Sequence, residues 1–200
     1  MPCSSWQAIV LDLGNVVFEW SSEPAGEARA TLKSIMKSDI YAQYETGQTG
    51  TEDEFYDTVG QQLGVDPTHI KTTFQNARAS LQVNSRLVEF IRELKQTTEI
   101  TVYAMSNIPQ SDIEYLQREH PSAMEIFDQV FASGFVGLRK PDLGFFRMVT
   151  EKSRLLPKRM VFVDDKTENV DAARKVGLCG IRFEGTDTLC DHLRDLILSD

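Results

Sequence analysis

Residues 8–16 read Ala8-Ile9-Val10-Leu11-Asp12-Leu13-Gly14-Asn15-Val16. Four apolar residues run without alternation into an aspartate, and a glycine and an asparagine follow. A short continuous apolar run is the pattern of a strand covered on both faces, as in a parallel sheet. Open parallel sheets bind ligands beyond the carboxyl ends of their strands. Asp12 therefore stands where chemistry is expected.

Working outward, the same pattern recurs at residues 100–105, 130–132 and 160–163, and more weakly at 180–183. Helical stripes separate these runs. Leu87, Phe90, Ile91 and Leu94 share one face; so do Phe145, Phe146 and Val149; so do Val170, Ala173 and Val176; and so do Leu189, Leu193, Leu196 and Ile197. Strands alternating with helices predict an α/β fold, a doubly wound, Rossmann-like parallel sheet with right-handed crossovers. Between residues 19 and 84 the alternation stops and no strand pattern is visible. Helices are expected there over residues 25–37, 51–63 and 67–81, with Thr51 and Glu54 forming a capping box and Gly64 past a helix end. The expected organisation is a core of residues 1–18 and 85–200, with a helical module of residues 19–84 inserted after the first strand.

Bulk properties exclude several function classes. The net charge of −9 is the wrong sign for broad phosphate neutralisation on nucleic acid. A small anionic ligand remains compatible, because a metal ion and local cations override the global charge. Cys3, Cys179 and Cys190 have no paired spacing and read as free thiols of a reducing compartment. No secretory pattern opens the chain, and no apolar run approaches the roughly 20 residues of a membrane span. A cytoplasmic location is expected.

Each strand end delivers a polar group. Asp12 and Asn15 follow the first, Ser106 and Asn107 the second, Arg139-Lys140-Pro141 the third, and Asp164-Asp165 the fourth. Singly, each has an ordinary reading as cap, turn or surface charge. Carboxylate, hydroxyl, lysine and carboxylate pair in that order at four successive strand ends are a different matter.

With these residues in place, the chain resembles the haloacid dehalogenase superfamily over nearly its whole length. Asp12 matches the family's first motif, Ser106 the second, Lys140 the third and the Asp164-Asp165 pair the fourth. Residues 19–84 look like the C1 type of helical cap. Asp-Leu-Gly-Asn-Val together with Asp-Asp-x-x-x-Asn is similar to bacterial sugar-1-phosphate phosphatases. The resemblance implies a Mg²⁺-dependent phosphohydrolase acting on a small phosphorylated metabolite. In it Asp12 is the nucleophile, and Asp12, the Gly14 carbonyl and Asp165 are metal ligands, with Asp164 as an alternate or supporting one. Ser106 and the Asn107 N–H hold phosphoryl oxygens, Lys140 neutralises charge, and Asn169 orients Lys140 or Asp165. Asn15 and Trp20 are expected at the substrate. Mg²⁺ favours this kind of oxygen donor set.

One position departs from the pattern. Most phosphatases of the superfamily carry a second Asp two residues after the nucleophile, as the acid that protonates the leaving oxygen. Gly14 stands there. A phosphatase here either has a leaving group that needs little protonation, and then depends steeply on leaving-group pKa, or takes its acid from the cap or the substrate. A haloacid dehalogenase needs no such acid, but it also needs no metal, and the acidic pair argues against it. Isoprenoid chemistry is the main alternative, because Asp164-Asp165-Lys166-Thr167-Glu168 also reads as the D-D-x-x-E metal motif of ionising terpene synthases. A terpene cyclase or prenyl-diphosphate phosphatase would take a diphosphorylated metabolite. A scaffold with a degenerate site is disfavoured by the intact set of Asp12, Ser106, Lys140 and Asp165.

Overall fold

A computed structural model of the protein describes residues 6–20 and 26–198. The chain opens with strand β1 (Ala8–Leu11) and a short strand β2 (Phe18–Trp20). Four helices follow: α1 (Gly26–Met36), α2 (Asp39–Glu45), α3 (Glu52–Leu63) and α4 (Pro67–Ala79). Strand β3 (Leu81–Val83) leads to α5 (Ser85–Thr97), β4 (Thr101–Ser106), α6 (Gln110–Glu119) and the single turn α7 (Pro121–Met124). Then come β5 (Gln129–Ala132), the single turn α8 (Ser133–Val136), α9 (Leu143–Ser153), β6 (Met160–Asp164), α10 (Thr167–Val176), β7 (Cys179–Arg182) and α11 (Thr186–Leu198).

Five strands form one parallel sheet in the order β5-β4-β1-β6-β7. The chain moves outward from β1 to β4 and β5, then returns to β6 on the other side. The reversal makes the carboxyl end of β1 the switch point of the sheet. Both faces are covered, which is why the strands read as continuous apolar runs. Ile9, Leu11, Val102, Ala104, Val161 and Val163 pack with Leu87, Ile91, Leu94, Leu189 and Leu193 on one face. Ala8, Val10, Tyr103, Met105 and Phe162 pack with Phe145, Phe146, Val149, Ala172 and Ala173 on the other.

Helices α1 to α4 close on a core of their own. Leu32, Ile35, Tyr41, Tyr44, Phe55, Tyr56, Val59, Ile70 and Phe74 are buried together, with the Tyr44 and Phe55 rings stacked at 4.1 Å. The capping box at Thr51 and Glu54 is present, and Gly64 closes α3 in the left-handed region at φ 64. Each aromatic here removes 150–250 Å² from water, so this small module is held by ring packing.

The helical stretch differs from expectation in two places. It is bounded by strands: β2 and β3 pair antiparallel, with Phe18 opposite Val83 and Trp20 opposite Leu81. Three-residue strands are too short to show alternation in sequence. It also contains α2, a seven-residue helix with a Ser38 N-cap whose buried apolar residues are the Tyr41 and Tyr44 pair, too short a stripe to mark a helix. The expected start of α1 at Ala25 lies outside the described residues.

Candidate active site

Register fixes the first contacts. Leu11 pairs with Ala104 on one side and Val163 on the other. Asp12 and Asp164 therefore leave neighbouring strands at the same level, and the Asp12 N–H still donates to the Val163 carbonyl at 2.9 Å. Ser106, the last residue of β4, is buried beside them, and its hydroxyl favours the ionised form of Asp12.

Lys140 reaches this point from the loop after α8 and is 2% exposed. Its ammonium lies 2.9 Å from Asp12 Oδ1 and 2.6 Å from Asp164 Oδ2. Burial works against the ammonium, but Asp12 and Asp164 more than offset it and hold its pKa above the ordinary lysine value. Lys140 thus stays charged. Burial pushes Asp12 up to about 6; Lys140 opposes the rise and Asp164 adds to it. At neutral pH Asp12 remains largely ionised and next to a fixed cation.

Asp164 is fully occupied. Oδ1 accepts from the Lys166 N–H and from Asn169 Nδ2, both at 2.9 Å. Oδ2 accepts from Asn169 Nδ2 at 2.9 Å and from Lys140 Nζ at 2.6 Å. A carboxylate offers about four acceptor sites, and all are used. Asn169 accordingly holds Asp164, which holds Lys140; it makes no hydrogen bond to Lys140 or Asp165. Asn107 adds a second restraint, because its side chain bonds the Lys140 backbone through both its oxygen and its nitrogen.

Asp165 contrasts with Asp164. Its Oδ2 accepts from Asn15 Nδ2 at 2.9 Å, while its Oδ1 is buried with no hydrogen-bond partner. Asn15 reaches it from a left-handed backbone conformation, φ 57, which asparagine tolerates better than most residues. Carboxylate oxygens of Asp12, Asp164 and Asp165 lie within 4.8 Å of one another. A buried, unpaired carboxylate oxygen is costly and is what a ligated cation would satisfy. The donor set fits a hard divalent ion such as Mg²⁺. Glu168 is exposed on α10 and does not join the acidic cluster found among the described residues. The D-D-x-x-E spacing is therefore not a single constellation here.

Gly14 is not in the left-handed region, and a Cβ placed on it meets no atom within 4 Å. Neither backbone strain nor crowding demands glycine, and the space where an acid would project is open. Phe18 lines the adjoining cavity; the side chain of Trp20, expected at the substrate, lies outside what the structure describes.

The cavity over the strand ends measures about 150 Å³. Asp12, Ser106, Asn107, Lys140 and Asp165 form its polar end. Phe18, Met36, Phe74, Leu81, Ile108 and Leu116 supply apolar wall. Four charged residues without an expected role also line it: Glu45 of α2, Arg78 of α4, Asp112 of α6 and Lys166 before α10. Arg78 forms ion pairs with Glu52 and with Asp112, tying α4 to α3 and to α6. Glu45 is 7% exposed, and its Oε2 lies 3.0 Å from the Arg139 guanidinium. Only the requirement that something replace the missing acid pointed toward such a residue, and it did not select one glutamate among several.

The family model of haloacid dehalogenase-like hydrolases matches residues 6–177. The chain belongs to this family. A sesquiterpene phosphatase of Aspergillus oryzae is 34% identical over 198 residues, covering 98% of each chain. A drimenol cyclase of Aspergillus calidoustus is 37% identical over 194 residues, 95% of this chain but 36% of the cyclase. Among solved structures, a haloacid dehalogenase-family enzyme of Bacteroides thetaiotaomicron in complex with magnesium and inorganic phosphate superposes with a TM-score of 0.71 at 20% identity, covering 88% of this chain and 93% of that one. No described helix is long and apolar enough to cross a membrane.

Proposed function

We propose that this haloacid dehalogenase-like hydrolase is a Mg²⁺-dependent phosphatase of a sesquiterpenoid-sized phosphate ester, working through an aspartyl-phosphate on Asp12 beneath a helical cap formed by residues 19–84. The observation that carries the reading is one cavity with a carboxylate, hydroxyl and lysine end and a wall of apolar side chains from the helical module and the core, in which the charged Arg78 and Asp112 are already paired with each other. A sugar phosphate would leave that wall unused. The full-length similarity to a sesquiterpene phosphatase points the same way.

In this reading Asp12, Asp165 and the Gly14 carbonyl hold the ion, and Asp164 is a positioning residue because its acceptor sites are filled. When bound, Mg²⁺ screens the repulsion between a carboxylate nucleophile and a phosphate dianion. Asp12 attacks phosphorus and is later freed by water. Ser106 and the Asn107 N–H hold phosphoryl oxygens, and Lys140 neutralises charge on the transferring group. The cap excludes bulk water from the acyl phosphate. Asp12→Asn removes the covalent path and should lower turnover of farnesyl phosphate by several orders of magnitude with the fold intact. Persistent turnover in that variant would refute the mechanism.

A second reading, ionisation of an allylic diphosphate, is favoured by the identity with drimenol cyclase. Against it stand the exposed Glu168 and the cyclase's much greater length. Product analysis with farnesyl phosphate and farnesyl diphosphate separates the two. Inorganic phosphate with unrearranged farnesol supports the phosphatase; cyclic or hydrocarbon products support ionisation.

A further inference from the structure

We propose that Glu45, the last residue of α2, donates the proton to the leaving oxygen and so does the work of the acid absent at Gly14; the inference rests on the phosphatase reading. Glu45 lines the same cavity as Asp12, Ser106 and Lys140 but reaches it from the cap helices. Its backbone is pinned to the core, because the buried Ser133 hydroxyl donates to the Glu45 carbonyl at 2.5 Å. Two residues on, Gly47 passes so close to the core that a Cβ there would lie 2.8 Å from the Gly134 carbonyl oxygen. These contacts set the Glu45 backbone over the strand ends, and the Arg139 guanidinium at 3.0 Å orients the carboxylate, as proton transfer in a reacting complex requires.

Its surroundings suit an acid. Oε2 is buried and makes no hydrogen bond; its one close polar neighbour among the described residues is the Arg139 guanidinium at 3.0 Å. The charged groups that face it are Arg139, Lys166, Lys140 and Asp12. Burial pushes its pKa up to about 7, with the three cations opposing and Asp12 reinforcing the rise. A general acid works best with a pKa near the working pH. As the Asp12 oxygen bonds to phosphorus, the bond from phosphorus to the leaving oxygen breaks, and the Glu45 proton passes to that oxygen. The Glu45 carboxylate then takes a proton from the water that attacks the aspartyl-phosphate. Inorganic phosphate leaves, and both side chains return to their starting states.

The test is pre-steady-state phosphorylation by wild type and Glu45→Gln, with p-nitrophenyl phosphate and dodecyl phosphate in Mg²⁺. The variant should keep a fast burst of about one nitrophenol per enzyme, followed by slow turnover, because an aryloxide leaves unaided. It should lose about 10²–10⁴-fold in the dodecyl phosphate burst. Equal losses for both esters, or no loss for either, overturn the proposal. If Glu45→Gln does not fold, the wild type decides: its burst rate should vary little with leaving-group pKa at pH 6 and steeply at pH 8.5. A steep dependence at both pH values would mean that no acid acts. If the wild type turns over neither ester, or Asp12→Asn turns over both, the phosphatase reading itself has failed.

Discussion

Asn107 grips the backbone of Lys140 from both sides. Its Nδ2 donates to the Lys140 carbonyl at 2.8 Å, and its Oδ1 accepts from the Lys140 N–H at 2.7 Å. The end of β4 thereby sets the height at which the loop after α8 delivers its lysine. Three groups then converge on the Lys140 side: Asn107 on the backbone, Asp12 and Asp164 on the ammonium.

Asn107→Ala should act on both stability and rate. Two hydrogen bonds are lost, and the Lys140 peptide groups are left without partners, a cost of about 1–3 kcal/mol. A displacement of about 1 Å at a reacting centre costs about 10²-fold, so turnover should fall by that order. Asn107→Asp keeps the acceptor and should fall less. Urea unfolding and kcat on p-nitrophenyl phosphate read the two effects separately. Full activity in Asn107→Ala would show that Asp12 and Asp164 alone position the lysine.

The metal assignment is checked by binding rather than turnover. Asp165→Asn removes the carboxylate whose Oδ1 is buried and unpaired, while Asp164→Asn disturbs a carboxylate already saturated by Lys140, Asn169 and the Lys166 N–H. Calorimetric titration with Mg²⁺ should show binding lost in Asp165→Asn. In Asp164→Asn the main effect should be on Lys140 and on stability. The reverse order of metal affinities would make Asp164 the ligand.

The parallel sheet was legible because its strands are continuous apolar runs, and Asp12, Ser106 and Asp164 stand at or next to strand ends. Asp12, Ser106 and Asp164 needed only strand order to be brought together, whereas Lys140 arrives from beyond α8 and is set by the Asn107 side chain. The short ribbon of β2 and β3 was not legible, since three residues carry no period. Helix α6 was passed over as well: only Ile113 and Leu116 are buried along it, too sparse a stripe to stand out. Glu45 was out of reach for another reason. Its environment is made by Arg139 and Lys140, nearly a hundred residues away in sequence, and nothing local marks it among the acidic residues of α1 to α4.

Glu45 also predicts a pH dependence of stability for the metal-free protein. Its pKa rises from 4.5 to about 7 on folding. The native state therefore holds the proton more tightly than the unfolded chain. The contribution is fully present below pH 4.5 and is lost as the pH climbs through 7, by on the order of 3 kcal/mol. Glu45→Gln never acquires the buried charge. In chelator, its unfolding free energy should match wild type within about 1 kcal/mol at pH 4.5 and exceed it at pH 8.5. An unchanged difference between variant and wild type at the two pH values would show that Glu45 does not titrate in this window.

Gly14 supplies the reciprocal experiment. The backbone at this position is open to an L side chain, and the Cβ direction is free of neighbours within 4 Å. Gly14→Asp should fold with a stability change of no more than about 1 kcal/mol. If Glu45 already supplies the proton, a second acid is redundant, and Gly14→Asp alone should change the dodecyl phosphate rate by less than about threefold, a small fraction of what general acid catalysis supplies. In the Glu45→Gln background the same substitution meets a real deficit. There it should restore part of the 10²–10⁴-fold loss on dodecyl phosphate while leaving the nitrophenol burst unchanged. The pattern across the four proteins is what matters, because the two carboxylates would enter the cavity from different elements. A large gain from Gly14→Asp in the wild-type background would mean that the leaving oxygen had no donor to begin with. Glu45 would then be a partner of Arg139 and not an acid.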